Sequence, residues 1–449
     1  MRCIVFRRFA ISGILLWCAL DASARTRQHY GGTLRVEVQS DPWQGPDGIA
    51  RQLTMDGLTQ MDTVGTVQPA LSSRWESQNE DHRWQFWIRG NVQFHDGTPL
   101  TADAVVASLT QSCKYGCPWT KVHAVGQSIV FTTDQAIPDL PAQLAQAKFL
   151  ISHQDAQGSL EGTGAFRAAG FPNGFMVFTA NDDHWSGRPF IDTVEVRPRR
   201  TIRDQWMDMS IGRTDVVEIP PEMLRQASQQ HLAVLSSGPE NLLLLQLGST
   251  GPLSNPQLRQ AVALAVDRNA LYNVIFQRQG EIAASLLPRV LSGYTFLFPP
   301  ERNLNRAHEL RGGGTPSQLT VTVEDGNPAM QLSAERIVLN LREAGFQVQI
   351  VSVGGKMQAD IVLKQIHLET NDPWAALDEM VQSCGQRVSI HGTDTASLYR
   401  TEKDFLANYT VVPLLWLPRA YAISERVRDL QLSVDGSPII ADATIEDSK

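Results

Sequence analysis

Beyond residue 24 this 449-residue chain has no apolar run that approaches the length of a membrane span. Its longest such stretches, "VVPLLWL" and "LLLLQL", are the size of core strands. Positive charge is short as well, with 39 Lys and Arg against 47 Asp and Glu and a net charge of −8. A nucleic-acid partner needs a basic surface to meet its phosphates, so this chain is a poor candidate for one. The ten histidines are scattered, and no pair has ligand spacing on one helix face, so no metal site is expected. Gly162-x-Gly164 lacks both a third glycine and a preceding apolar strand, which rejects a dinucleotide site and leaves no cofactor expected. Internal repeats and low-complexity tails are absent from the sequence.

Cysteine is scarce: five in all, of which three follow residue 24. Cys113 and Cys117 sit in "CKYGCPW", where Gly116 and Pro118 supply turn chemistry. In an oxidising compartment a small-loop disulfide is expected, with Cys384 free. The rival is a metal site, but the usual two-residue spacing is missing and no His follows at ligand distance.

What is present begins with an export signal. Arg2, Arg7 and Arg8 form a basic start, "FAISGILLWCAL" is a short apolar run, and Ala22-Ser23-Ala24 has the small-x-small form of a cleavage site. In that order they read as a secretory signal peptide over residues 1–24, with a retained anchor as the alternative. Cys18 raises a lipoprotein reading, set aside because Trp17 is bulky where that signal wants a small residue. Removal takes away three arginines and Asp21, moving the net charge from −8 to −10. The mature protein is expected to be soluble and periplasmic or otherwise extracytoplasmic.

Periodicity then points to a mixed α/β protein of two or three lobes, since the chain is too long for one ordinary core. "GGTLRVEVQ" alternates Leu34, Val36 and Val38 inward, and "RWQFWIRG" does the same with Trp84, Phe86 and Ile88. Asp96-Gly97 makes a turn, Thr101 caps a helix, and Val105, Val106 and Leu109 give it an apolar stripe. His95 beside Asp96 invites a catalytic reading, yet strand, turn and capped helix account for both residues. Asn255 and Pro256 open a helix pair that Asp267 restarts. After Gly312-Gly313-Gly314, "QLTVTVE", a helix with Ile337, Val338 and Leu341, the stop at Gly345 and "FQVQIVSV" make a β-α-β unit.

Four ordered blocks carry a family likeness. "MDGLTQMDTVGTVQPALSSRWE", "WQFWIRGNVQFHDGTPLTADAVVASL", "GTGAFRAAGFPNGFMVFTANDDHWSGRPFIDTVEVR" and "LSNPQLRQAVALAVDRNAL" together resemble the extracytoplasmic solute-binding proteins of peptide and nickel ABC importers, family 5. The resemblance runs from about Gly31 to Gly436. It implies a two-lobe periplasmic-binding-protein (type 2) fold with an extra N-terminal subdomain and an interlobe cleft. Residues 25–245 and 415–449 would form the first lobe and 246–414 the second. It implies a monomeric carrier that closes on a peptide or similar small solute by hinge motion and delivers it unchanged to a membrane permease. The His-Asp-Gly-Thr-Pro turn becomes a scaffold marker.

By resemblance, Asp372 in "HLETNDPWAALDEM" is the candidate anchor for a peptide's α-amine and Trp374 a candidate aromatic wall. The residues alone allow Asn371-Asp372-Pro373 to be a helix cap instead. Trp416, after the Val-Pro-Leu block, either faces the cleft or is core at a strand's end. Two departures weigh against a peptide. Lys364-Gln365-Ile366-His367 stands where a Trp usually precedes this loop, and the stretch from Trp374 to "VVPLLWL" is shorter than in typical members. The alternatives are a non-transport adaptor or sensor with a degenerate pocket, and an exported hydrolase using Asp182 or Asp183 with His184.

Overall fold

Seven consecutive residues, "NLLLLQL", explain how the chain is divided. In a computed structural model they form the strand Asn241–Leu247. Leu243, Leu245 and Leu247 pack into one hydrophobic cluster and Leu242 and Leu244 into another. A strand covered on both faces needs apolar residues at every position, which is why the two-residue period is lost here. The structure describes residues 30–43, 48–113, 117–294, 296–314, 318–324, 327–351, 359–368, 370, 372–388 and 394–446. The signal-peptide expectation for residues 1–24 lies outside them. Among the described residues no helix is long and apolar enough to cross a membrane.

Asn241–Leu247 belongs to a six-stranded sheet ordered Glu281–Ile282, Val411–Leu417, Asn241–Leu247, Ile361–His367, Gln318–Val323, Gln347–Ile350. The helices Pro256–Ala265 and Pro328–Glu343 cover one face, and Pro373–Ser383 and Thr395–Leu406 the other. The expected β-α-β unit is present, with Gln318–Val323 and Gln347–Ile350 paired in parallel around Pro328–Glu343. Pro413 sits within an interior strand because the ladder slips between Leu243 and Leu244 opposite it.

A seven-stranded sheet forms the other lobe, ordered Phe166–Gly170, Met176–Ala180, Thr193–Arg197, Thr33–Glu37, Val216–Ile219, Ala420–Ile423, Ala233–Ser236. A four-stranded sheet, Ser72–Gln78, Arg83–Ile88, Ser128–Thr132 and Lys121–Val125, packs on the helix Ala102–Ser112 as a subdomain with its own core. Thr101 caps that helix by accepting from the Ala104 N–H at 3.1 Å. Trp84, Phe86 and Ile88 face inward, as their alternation requires.

The chain passes between the large sheets twice, at 237–240 and 418–419. The crossings therefore fall outside the boundaries expected at 245/246 and 414/415. Those boundaries would cut two strands whose side chains are buried in the second sheet.

Gly162 and Gly164, rejected as a nucleotide loop, have a packing role. A Cβ on Gly164 would lie 2.4 Å from the Thr54 carbonyl carbon and 2.6 Å from the Met55 nitrogen. Backbone cannot yield as a side chain does, so Gly164→Ala is expected to cost about 1–3 kcal/mol in urea unfolding. Exposed Gly90 has no heavy atom within 4 Å of such a Cβ, and Gly90→Ala should change stability by less than about 0.5 kcal/mol.

Candidate functional site

The lobes meet around the two crossings, and cavities open there. One, 1140 Å³, is lined by Val64 and Asp435 of the first lobe, Glu240 of a crossing, and Glu281 and Thr370 of the second lobe. Another of 810 Å³ lies between Thr201 and Glu218 on one side and Asn327 and His367 on the other, with Arg419 of the second crossing. A third, 310 Å³, is walled by first-lobe residues including Asp56, His184 and Trp185, with Thr370 reaching in from the second lobe.

Asp372 is the N-cap of Pro373–Ser383, its Oδ1 accepting the Ala375 N–H at 2.7 Å. Its own N–H donates to Thr370 Oγ1 at 3.2 Å, which ties the cap to the residue lining two cavities. Burial raises the Asp372 carboxyl above the usual range, while the N–H groups of Ala375 and Trp374 pull it back. Across the lobe junction Asp139 precedes the short helix Leu140–Gln143. Burial and then the charge of Asp372, in the second lobe, push Asp139 up to about 6. Trp374 is half-buried against the second lobe's core. Trp416 is 2% exposed within that same cluster, the strand-end core position that its sequence also allowed. Thus neither Asp372 nor Trp374 is among the residues that line these three cavities; Asp372 is linked to two of them through Thr370, and Trp416 is core.

The other sequence candidates are anchors. His95 Nε2 lies 2.9 Å from the Gly164 carbonyl oxygen. Asp96 accepts from the Thr98 N–H and hydroxyl, at 2.8 and 2.9 Å. His184 pairs with neither Asp182 nor Asp183: its Nε2 is 3.3 Å from Asp56, and Asp182 accepts from Arg188 Nε at 2.7 Å. Asp56 also accepts from Thr163 Oγ1 at 2.8 Å and Trp185 Nε1 at 2.9 Å. Burial works to raise the Asp56 carboxyl, yet His184, Trp185 and Thr163 outweigh it and hold it below its usual range. Cys113 and Cys117 are joined in a disulfide with Cα atoms 5.2 Å apart, and Cys384 is free and buried. Among the described residues no group of three or more His, Cys, Asp or Glu is placed to hold a metal ion.

This geometry has relatives. The family model for the middle region of bacterial extracellular solute-binding proteins, family 5, matches residues 66–387. The chain belongs to that family. It is 22% identical over 316 residues to the nickel-binding protein NikA of Staphylococcus aureus, covering 66% of this chain and 64% of that one. It is 23% identical over 326 residues to the probable D,D-dipeptide-binding periplasmic protein DdpA of Escherichia coli, covering 66% and 63%. The match thus spans just under two thirds of each of these relatives. The crystal structure of S. aureus NikA in complex with Ni(L-His)2 has the same fold, with a TM-score of 0.81 at 18% identity over 92% of this chain and 100% of that one.

Glu240, Asp139 and Thr370 were not singled out in the sequence, because none lies in a motif. Glu240 does leave a trace, as a carboxylate one residue before a strand that is buried on both faces. Removing Asp56 strands three donors at once. Asp56→Ala should destabilise the first lobe by about 2 kcal/mol, measured by thermal and urea unfolding. A folded-state pKa below the unfolded value means that this contribution holds above about pH 4 and fades as pH falls below it.

Proposed function

We propose that the mature chain is the exported substrate-binding component of an ABC importer. It captures a peptide or similar small solute between its lobes, closes by bending at the two crossings, and hands the solute to a membrane permease. The observation that carries this reading is that cavities at the junction are lined by both lobes, while among the described residues two short segments join the large sheets. A solute touching both lobes binds the closed form better than the open one and so shifts the population to it. Closing also expels water and strengthens each charge contact inside. No bond in the solute breaks.

Asp372 serves as the anchor for an ammonium group, with Asp139, whose carboxyl its charge raises, as the acid of the other lobe. Trp374 supplies the aromatic side of the site. An ammonium between the two acids relieves their mutual repulsion, which favours peptides and other amines over neutral solutes.

The test is a thermal-shift screen of the mature protein against di-, tri- and oligopeptides, nickel chelates and small glycans. A true solute at a hundredfold excess over its dissociation constant stabilises by about 2.7 kcal/mol. Asp372→Asn separates anchoring from capping, because Asn caps a helix as well as Asp but carries no charge. The variant should unfold within about 0.5 kcal/mol of the parent yet lose the peptide-induced shift. An unchanged shift removes the anchor, and no shift with any solute favours the adaptor reading.

A further inference from the structure

Glu240 ends the first crossing and is 3% exposed. Neither of its carboxylate oxygens has a hydrogen-bond partner among the described residues. The Ser237 hydroxyl beside it donates to the Gly238 carbonyl oxygen at 2.9 Å, and its pull on the carboxyl is outweighed by burial. Glu402, equally buried in the second lobe, shows the usual arrangement: its carboxylate accepts from Tyr294 Oη and the Leu286 and Leu287 N–H groups. A buried carboxylate without donors is costly as an ion and tolerable as a neutral acid.

One turn covers the Glu240 carboxylate. The hairpin Gln431–Leu432 with Pro438–Ile439 places its turn, residues 433–437, on the carboxylate. A Cβ on Gly436 would lie 2.0 Å from Glu240 Oε2, and Gly436 has φ +70°, so a larger residue there strains the turn or displaces the carboxylate. The turn closes on itself, with Ser433 N–H to Ser437 O at 2.9 Å, and holds the helix Ile49–Thr54 through Gln52 Nε2 to Ser437 Oγ at 2.8 Å. Its residues Ser433 and Asp435 line both the 1140 Å³ and the 310 Å³ cavities.

The charged and titratable groups facing Glu240 are Arg419 on the other crossing, Asp435 on the turn, Glu218 on Val216–Ile219, and Tyr421 on Ala420–Ile423. Burial raises the Glu240 carboxyl most, Ser237 and Arg419 oppose, and Asp435 and Glu218 add to the rise, leaving it at about 8. Arg419 is shared, because its Nε lies 3.5 Å from Glu218.

We propose that Glu240 and the Gly436 turn form a proton-operated latch on the lobe crossing. The turn is seated while Glu240 is neutral. It lifts when the carboxyl gives its proton to solvent, widening the cleft at its crossing edge. The latch acts whichever solute the cleft takes. An acid whose pKa is raised by seating favours the seated form fully below the free value of 4.5, and that preference is lost as pH rises toward about 8.

Hydrogen exchange of the mature protein at pH 6 and pH 8.5, corrected for intrinsic rates, tests this. A local readout is needed because Asp139 and Glu402, raised to about 6 and about 7, also titrate in this window. Protection of residues 431–439 should fall at least about tenfold from pH 6 to pH 8.5, with the strand Ser72–Gln78 as the unaffected control. Glu240→Gln should abolish that fall, and Glu240→Ala gives the same reading should the Gln variant misfold. Gly436→Ala drives a methyl into the carboxyl and should leave the turn unprotected at both pH values. Protection that does not change with pH in the parent, a fall that survives both Glu240 substitutions, or full protection in Gly436→Ala at pH 6 would overturn the latch.

Discussion

The structure depends on a two-stranded ribbon in which the crossings bond to each other. Ser237 N–H donates to Arg419 O at 2.9 Å and Glu240 N–H to Leu417 O at 3.1 Å, so the two passages form one joint. On either side the same chain is fixed. Asn241–Leu247 and Val411–Leu417 are interior strands buried on both faces, and Ala420–Ile423 is wholly buried in the seven-stranded sheet. On the proposed reading, bending would be confined to residues 237–240 and 418–419. That is the condition for hinge closure in place of diffuse flexing.

Much of this was legible because it is local. Alternation in "TLRVE" and "RWQFWI", the Thr101 and Asn255 caps, and the unit from Gln318 to Ile350 follow from spacing and propensity, and the structure keeps each of them. The lobe boundaries were legible only to within a few residues. Nothing within "NLLLLQL" says which sheet receives it, since a strand buried on both faces has no polar side to mark its orientation. The pairing of His184 with Asp56 was hidden for another reason: 128 residues separate them. Adjacent Asp182 and Asp183 were the visible partners, but side chains next to each other in sequence rarely converge on one atom.

The site was less legible than the fold, and Asp372 shows why. One carboxylate supports two readings from sequence, helix cap and solute anchor, because both need an acceptor before a helix start. The structure demonstrates the cap directly in the 2.7 Å bond from Ala375. It does not make the two roles exclusive, since a carboxylate has several acceptor positions and the cap occupies Oδ1.

The cleft also carries an electrostatic argument. The charge of Asp372 raises Asp139 in the other lobe, Glu240 is buried at the joint, and Glu218, Glu281 and Asp435 line the cavities and outweigh Arg203, Arg289 and Arg419 only with Glu222, Glu240 and Glu324. Closing such a surface over nothing brings like charges together in a medium that screens them poorly, so the empty closed state is penalised. A cationic group removes that penalty only where it touches both lobes, and a proton on Glu240 removes it at the joint. On the proposed reading, solute and proton are then two ways of neutralising one acidic junction. A preference for a charged amine would, on that reading, follow from what closure costs without one.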